Sequence, residues 1–212
     1  MAYPYSKPET LADGAVHAAG LLLAIPACMV LMGRAAEKSS AELTATALYA
    51  ACLILAFGAS ALYHMCPLDR MRPMLHRIDH AAIYLKIAGS YTPIVVVIGS
   101  SFAYGVLGLV WALAALGAIA KLSFWPTDAK GSLALYLLMG WLSALLIWPM
   151  WQHLDGMVLA LVVIGGLTYS AGTRVYAHPG MPYQNAIWHS FVLVASTCLF
   201  GAIAISICSM GV

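Results

Sequence analysis

The chain has 212 residues, 63% of them hydrophobic and only 8% charged, and a formal net charge of +2 at pH 7. Soluble domains carry roughly 25% charged residues, so this composition, with a mean hydropathy of +0.89, excludes a soluble enzyme and defines an integral membrane protein. A spanning helix takes about 20 apolar residues at about 1.5 Å each. Residues 1–212 therefore form a single all-α membrane domain of about seven or eight spans, with no room for a separate soluble domain.

The opening residues MAYPYSKPETLADG are polar and precede a full-length apolar run, unlike a cleavable signal peptide. Apolar runs then predict seven spans, at 14–33, 43–65, 79–99, 102–122, 132–149, 157–176 and 187–208. The breaks between them hold turn or charge signals, the longest being 66–77 with its two prolines. Pro26, Pro93 and Pro149 lie within or at the ends of spans and should kink them. Cys28, Cys52, Cys66, Cys198 and Cys208 are scattered without a CxxC pair and read as free thiols.

Orientation follows from Lys and Arg, which concentrate on cytoplasmic segments. Lys7, Arg70, Arg72, Arg77, Lys121, Lys130 and Arg174 fall on the N-terminal side of the threaded bundle, and only Arg34 and Lys38 on the other. The N-terminus is expected in the cytoplasm and the C-terminus outside, in an inner (plasma) membrane of bacterial type. A basic rim of this kind serves topology rather than nucleic-acid binding; the expected partner is membrane lipid.

This threading brings Glu9, Asp13, His17, His64, Asp79 and His189 to one level near the cytoplasmic face. Glu9, Asp13 and His17 recur every four residues and form one helical stripe, and Ser60 stacks on His64 in the same way. An ionisable residue at membrane depth marks a functional site by default, because leaving it unpaired costs a few kcal/mol. Neutral imidazoles with a nearby carboxylate suit Zn²⁺. Plainer roles stand beside this one: hydrogen-bonded core histidines for His64 and His189, a helix cap or an Arg77 partner for Asp79, solvated residues for Glu9 and Asp13. Lys86 reads as a snorkelling or paired lysine, and His76, His80 and His153 as loop or interface residues.

Four segments carry a resemblance: Glu9-Thr-Leu-Ala-Asp13-Gly-Ala-Val-His17, Ser60-Ala-Leu-Tyr-His64, Arg77-Ile-Asp79-His80-Ala-Ala-Ile-Tyr84 with Ala88-Gly-Ser-Tyr-Thr-Pro93, and Ala186-Ile-Trp-His189-Ser-Phe-Val-Leu193. Over nearly its whole length the chain resembles the haemolysin III branch of the progestin and adiponectin receptor (PAQR) family of seven-span proteins. The resemblance implies a cytoplasm-facing zinc site with one histidine from span two, an HxxxH pair from span seven, and an aspartate of span three reaching the metal through water. Carried across, His64 and His189 are metal ligands, Asp79 orients the water as catalytic base, and Ser60 supports it.

Asn185 stands where the family has the first histidine of HxxxH, and Leu199 where another histidine is frequent. An amide oxygen is a poorer ligand for zinc than imidazole. Asn185 as a weak ligand, His17 or His80 as a substitute, and loss of tight binding all remain open at this point. Three functions compete: zinc-dependent hydrolysis of a lipid amide or ester, as the family's relation to ceramidase-like proteins suggests; a lipid-sensing, receptor-like role in membrane homeostasis; and a pore or transporter. A pore would carry a polar stripe from face to face and a transporter midplane polar groups on broken helices, and the sequence shows neither.

Overall fold

A computed structural model of the protein describes residues 6–126, 130–178 and 180–209. It contains α1 (Lys7–Ala36), α2 (Ser40–Met65), α3 (Arg72–Ile98), α4 (Ser101–Ser123), α5 (Lys130–Trp141), a 3₁₀ stretch (Leu142–Leu146), α6 (Ile147–His153), α7 (Gly156–Tyr176) and α8 (Gln184–Ser209). Counting α5 and α6 as one span (Gly131–His153), seven helical stretches of the described residues are long and apolar enough to cross a membrane. The all-α, seven-span architecture expected from hydropathy is the architecture found.

Helix ends extend beyond the apolar runs wherever polar capping chemistry allows. The Ser6 side chain caps the Glu9 amide while the Glu9 carboxylate reaches back to the Ser6 N–H at 2.9 Å, with a proline in the first turn. Helix α1 therefore starts about two turns before residue 14 and holds Asp13 and His17 in regular helix. Ser39 and Glu42 repeat the device at α2. Gly99, at φ 68°, ends α3 in the left-handed conformation that glycine adopts without strain, and α4 begins two residues later.

The fifth span is broken. Pro149 has no N–H to offer the carbonyl four residues back, and its ring crowds that position; the preceding 142–146 segment winds as 3₁₀ helix. Tyr91 of α3 donates to the carbonyls of Met139 and Gly140 at 2.7 and 2.8 Å, satisfying acceptors exposed by the break. The Tyr136 hydroxyl donates to the His80 carbonyl at 2.9 Å, so α5 is pinned to α3 at two heights.

Helix α3 is the central post, packed on α2, α4, α5, α6 and α8. Its small residues permit close approach without a hydrophobic driving force between helices. A Cβ on Gly89 would lie 2.8 Å from the Cβ of Cys52 in α2. Helix α1 lies against α2 and α8, and α7 against α8. All five cysteines are free thiols.

Candidate metal centre

Asp13 and His17 sit one turn apart on α1, and the two helices that flank α1 bring one histidine each: His64 from the end of α2 and His189 from the second turn of α8. The Asp13 carboxylate, 4% exposed, is the hub of this group. His189 Nδ1 donates to its Oδ1 at 2.6 Å, His64 Nδ1 lies 3.1 Å from Oδ2, and His17 Nε2 lies 3.6 Å from Oδ1. One candidate ligand atom from each of the four residues falls within 4.8 Å of all the others. The rings pack on one another, with His17 centred 4.4 Å from His189 and His64 4.6 Å from His189.

Three imidazoles and one carboxylate make a donor set that suits zinc, and one feature of the arrangement fits a cation. His17 Nε2 is buried without a hydrogen-bond partner. His64 Nδ1 faces both Asp13 Oδ2 and, at 3.4 Å, the Asn185 amide nitrogen. A single ring nitrogen cannot donate to the first and accept from the second at once.

The site residues expected from sequence fall in distinct places. His64 and His189 are in the four-residue group. Asn185 lies beside His64, one turn before His189, and its amide nitrogen is the atom turned toward the ring. Asp79 lies outside the group on the wall of an adjoining cavity, where it interacts with Ser60 and is within electrostatic range of His64 and His17. Of the two substitutes considered for the missing histidine, His17 is in the group and His80 is not. His80 is buried on α3 rather than placed at an interface, with its ring 4.5 Å from that of His76. His178 bonds to the Arg174 carbonyl, away from the site.

Sequence reasoning assigned no ligand role to Asp13, although the Glu9, Asp13, His17 stripe carried the signal. Glu9 itself accepts from the Tyr183 N–H at 3.0 Å and so fastens the start of α1 to the loop before α8. Tyr183 has a φ of 55°, uncommon for a residue with a side chain.

A cavity of about 1050 Å³ runs from the histidines into the bundle. Along α3 its wall extends from His76 to Ile94, about 27 Å of helix. Around the cluster the wall is polar, with His17, His64, Asp79, His80 and His189; at the far end it is made by Ile94, Leu146, Met150, Leu159 and Val162.

Fold and site together define a polytopic helical membrane protein with a buried histidine and carboxylate centre opening on a large cavity in the bundle. The sequence places it more narrowly, for the chain belongs to the Haemolysin-III related family, whose model matches residues 5–200. It is 35% identical over 198 residues to the hemolysin-3 homolog of Bacillus subtilis (strain 168), covering 92% of this chain and 93% of that protein. It is 33% identical over 194 residues to hemolysin-3 of Bacillus cereus, covering 91% and 89%. A more distant relative of PAQR type is the human monocyte to macrophage differentiation factor, 29% identical over 191 residues, with 85% and 78% covered.

Proposed function

We propose that the protein is a zinc-dependent hydrolase of membrane lipid amides, acting from the cytoplasmic side of a bacterial plasma membrane and serving lipid homeostasis. The observation that carries this reading is the convergence of Asp13, His17, His64 and His189 at the polar end of a cavity whose other end is apolar. A lipid chain fits the apolar end while its polar linkage lies at the cluster.

Three of Asp13, His17, His64 and His189 would hold the ion and leave its fourth position to a water, with Asn185 beside His64. Zinc there supplies Lewis acidity and makes a water acidic enough to serve as nucleophile near neutral pH. Asp79, steadied by Ser60 on the cavity wall, is positioned to accept the proton of an attacking water and later return it to the leaving nitrogen.

The test begins with metal content, measured by mass spectrometry on detergent-purified protein. About one zinc per chain, lost in the His64→Ala, His189→Ala double variant, supports the centre; folded protein that stays metal-free after zinc is supplied overturns it. With the metal present, release of fatty acid from an N-acyl lipid, abolished by Asp79→Ala, supports hydrolysis. Inertness across a broad lipid panel leaves the centre intact and favours the lipid-sensing role.

A further inference from the structure

His76 and His80 are two imidazoles that the metal centre does not use. They stand four residues apart on one face of α3, in the stretch His76-Arg-Ile-Asp79-His80. Histidines at that spacing on a helix are a recurrent metal-holding pair. Their ring centres are 4.5 Å apart, edge to face, and both side chains line the cavity. His80 is 7% exposed, and its Nδ1 is buried without a hydrogen-bond partner. A ring nitrogen left unpaired in a buried position is costly, and a metal ion satisfies it as a hydrogen bond would.

The half-buried His76 ring lies flat on Tyr63 of α2, 4.5 Å away and within 8° of parallel, and the Arg72 guanidinium is 5.2 Å from the centre of the same phenol ring. Tyr63 also meets His64 edge-on at 4.7 Å, so it stands between the pair and the four-residue centre. Asp79, which separates the two histidines in sequence, is engaged by Ser60. We propose that His76 and His80 form a second site, for a divalent transition-metal ion, separate from the centre on α1, α2 and α8. Imidazole selects borderline ions such as Zn²⁺, Ni²⁺ and Cu²⁺ over Mg²⁺ and Ca²⁺, which take oxygen ligands. A pair of protein ligands makes this the weaker of the two sites, with water completing the shell. It requires no lipid turnover and does not depend on the centre holding an ion.

Equilibrium dialysis of the full-length, detergent-purified protein against graded zinc, with bound metal read by mass spectrometry, tests the site. The parent should take up about two zinc per chain, in a tight and a weaker step. His76→Phe keeps an aromatic ring on Tyr63 and removes a ligand; it should leave the thermal transition and the tight step unchanged and weaken the second step by at least about tenfold. The His64→Ala, His189→Ala variant should lose the tight step and keep the weaker one, so that failure of the centre and failure of this site are read separately. Cu²⁺ should displace the weakly held zinc and Mg²⁺ should not. A parent without a second step overturns the proposal, as does a second step unchanged in His76→Phe. Its loss in a His153→Ala, His178→Ala variant also overturns it, by putting the ion on exposed histidines elsewhere. Displacement by Mg²⁺ as effective as by Cu²⁺ overturns the imidazole assignment. Should His76→Phe fail to fold, judged by its thermal transition, His76→Gln carries the same comparison.

Discussion

Asp13 faces three imidazoles that come from three helices and binds two of them closely, so its removal separates two roles. In Asp13→Ala the ring N–H groups of His189 and His64 lose their acceptor in a dry site, at a cost of roughly 2 kcal/mol or more. Zinc retention should fall below that of the parent and the thermal transition should drop; Asp13→Asn should recover more of the stability than of the metal, because an amide keeps an acceptor but not the charge. Equal zinc content in all three proteins would remove Asp13 from the ligand set. Asn185→His places an imidazole one turn before His189, next to His64, and should tighten zinc by the ten- to hundredfold that single changes around a metal produce. No change in a zinc titration would mean that His17 already fills the position. Much of this centre was legible in sequence, because ionisable residues are rare in membrane helix and His64 and His189 stood out. The identity of the third imidazole was not. It depends on which face α1 turns toward α2 and α8, and the spacing of Asp13 and His17 shows only that they share a face.

At the scale of elements, the contact of α2 with α3 sets how closely the cluster and the cavity wall can meet, and at Gly89 it leaves no room for a Cβ. Gly89→Ala drives a Cβ into Cys52 and should cost about 1–3 kcal/mol, read as a lower thermal transition in detergent. Adding Cys52→Gly moves the small residue to the other helix and should restore part of the loss. A Gly89→Ala protein as stable as the parent would show that the two helices slide apart freely. Hydropathy found all seven spans, since the lipid core imposes their length. It placed the starts of α1 and α2 several residues late, because Ser6 with Glu9 and Ser39 with Glu42 stabilise helix in polar sequence that an apolar count rejects; α3 also starts early, at Arg72, with a proline in its first turn and no side-chain cap. Pro149 signalled a disturbance in the fifth span, but its form, a 3₁₀ stretch capped by Tyr91, required knowing that α3 lies alongside.

For the whole molecule, the sidedness of the membrane decides what reaches the cluster. The four clustered residues sit near the start of α1, the end of α2 and the start of α8, which an antiparallel bundle puts at the same face. An odd number of spans sends the two termini to opposite faces. The face holding the cluster also carries Arg72, Arg77, Lys121 and Arg174, against Arg34 and Lys38 at the other end. Excess basic charge is retained in the cytoplasm, so the cluster is expected to draw its metal and water from there. A phosphatase fused after Val212 should be active and a fluorescent protein fused there dark, with the reverse for fusions at the loop after Tyr176. Fluorescence after Val212 would invert the bundle and expose the centre to the exterior. Catalysis on cytoplasmic-leaflet lipid would then fail as a reading.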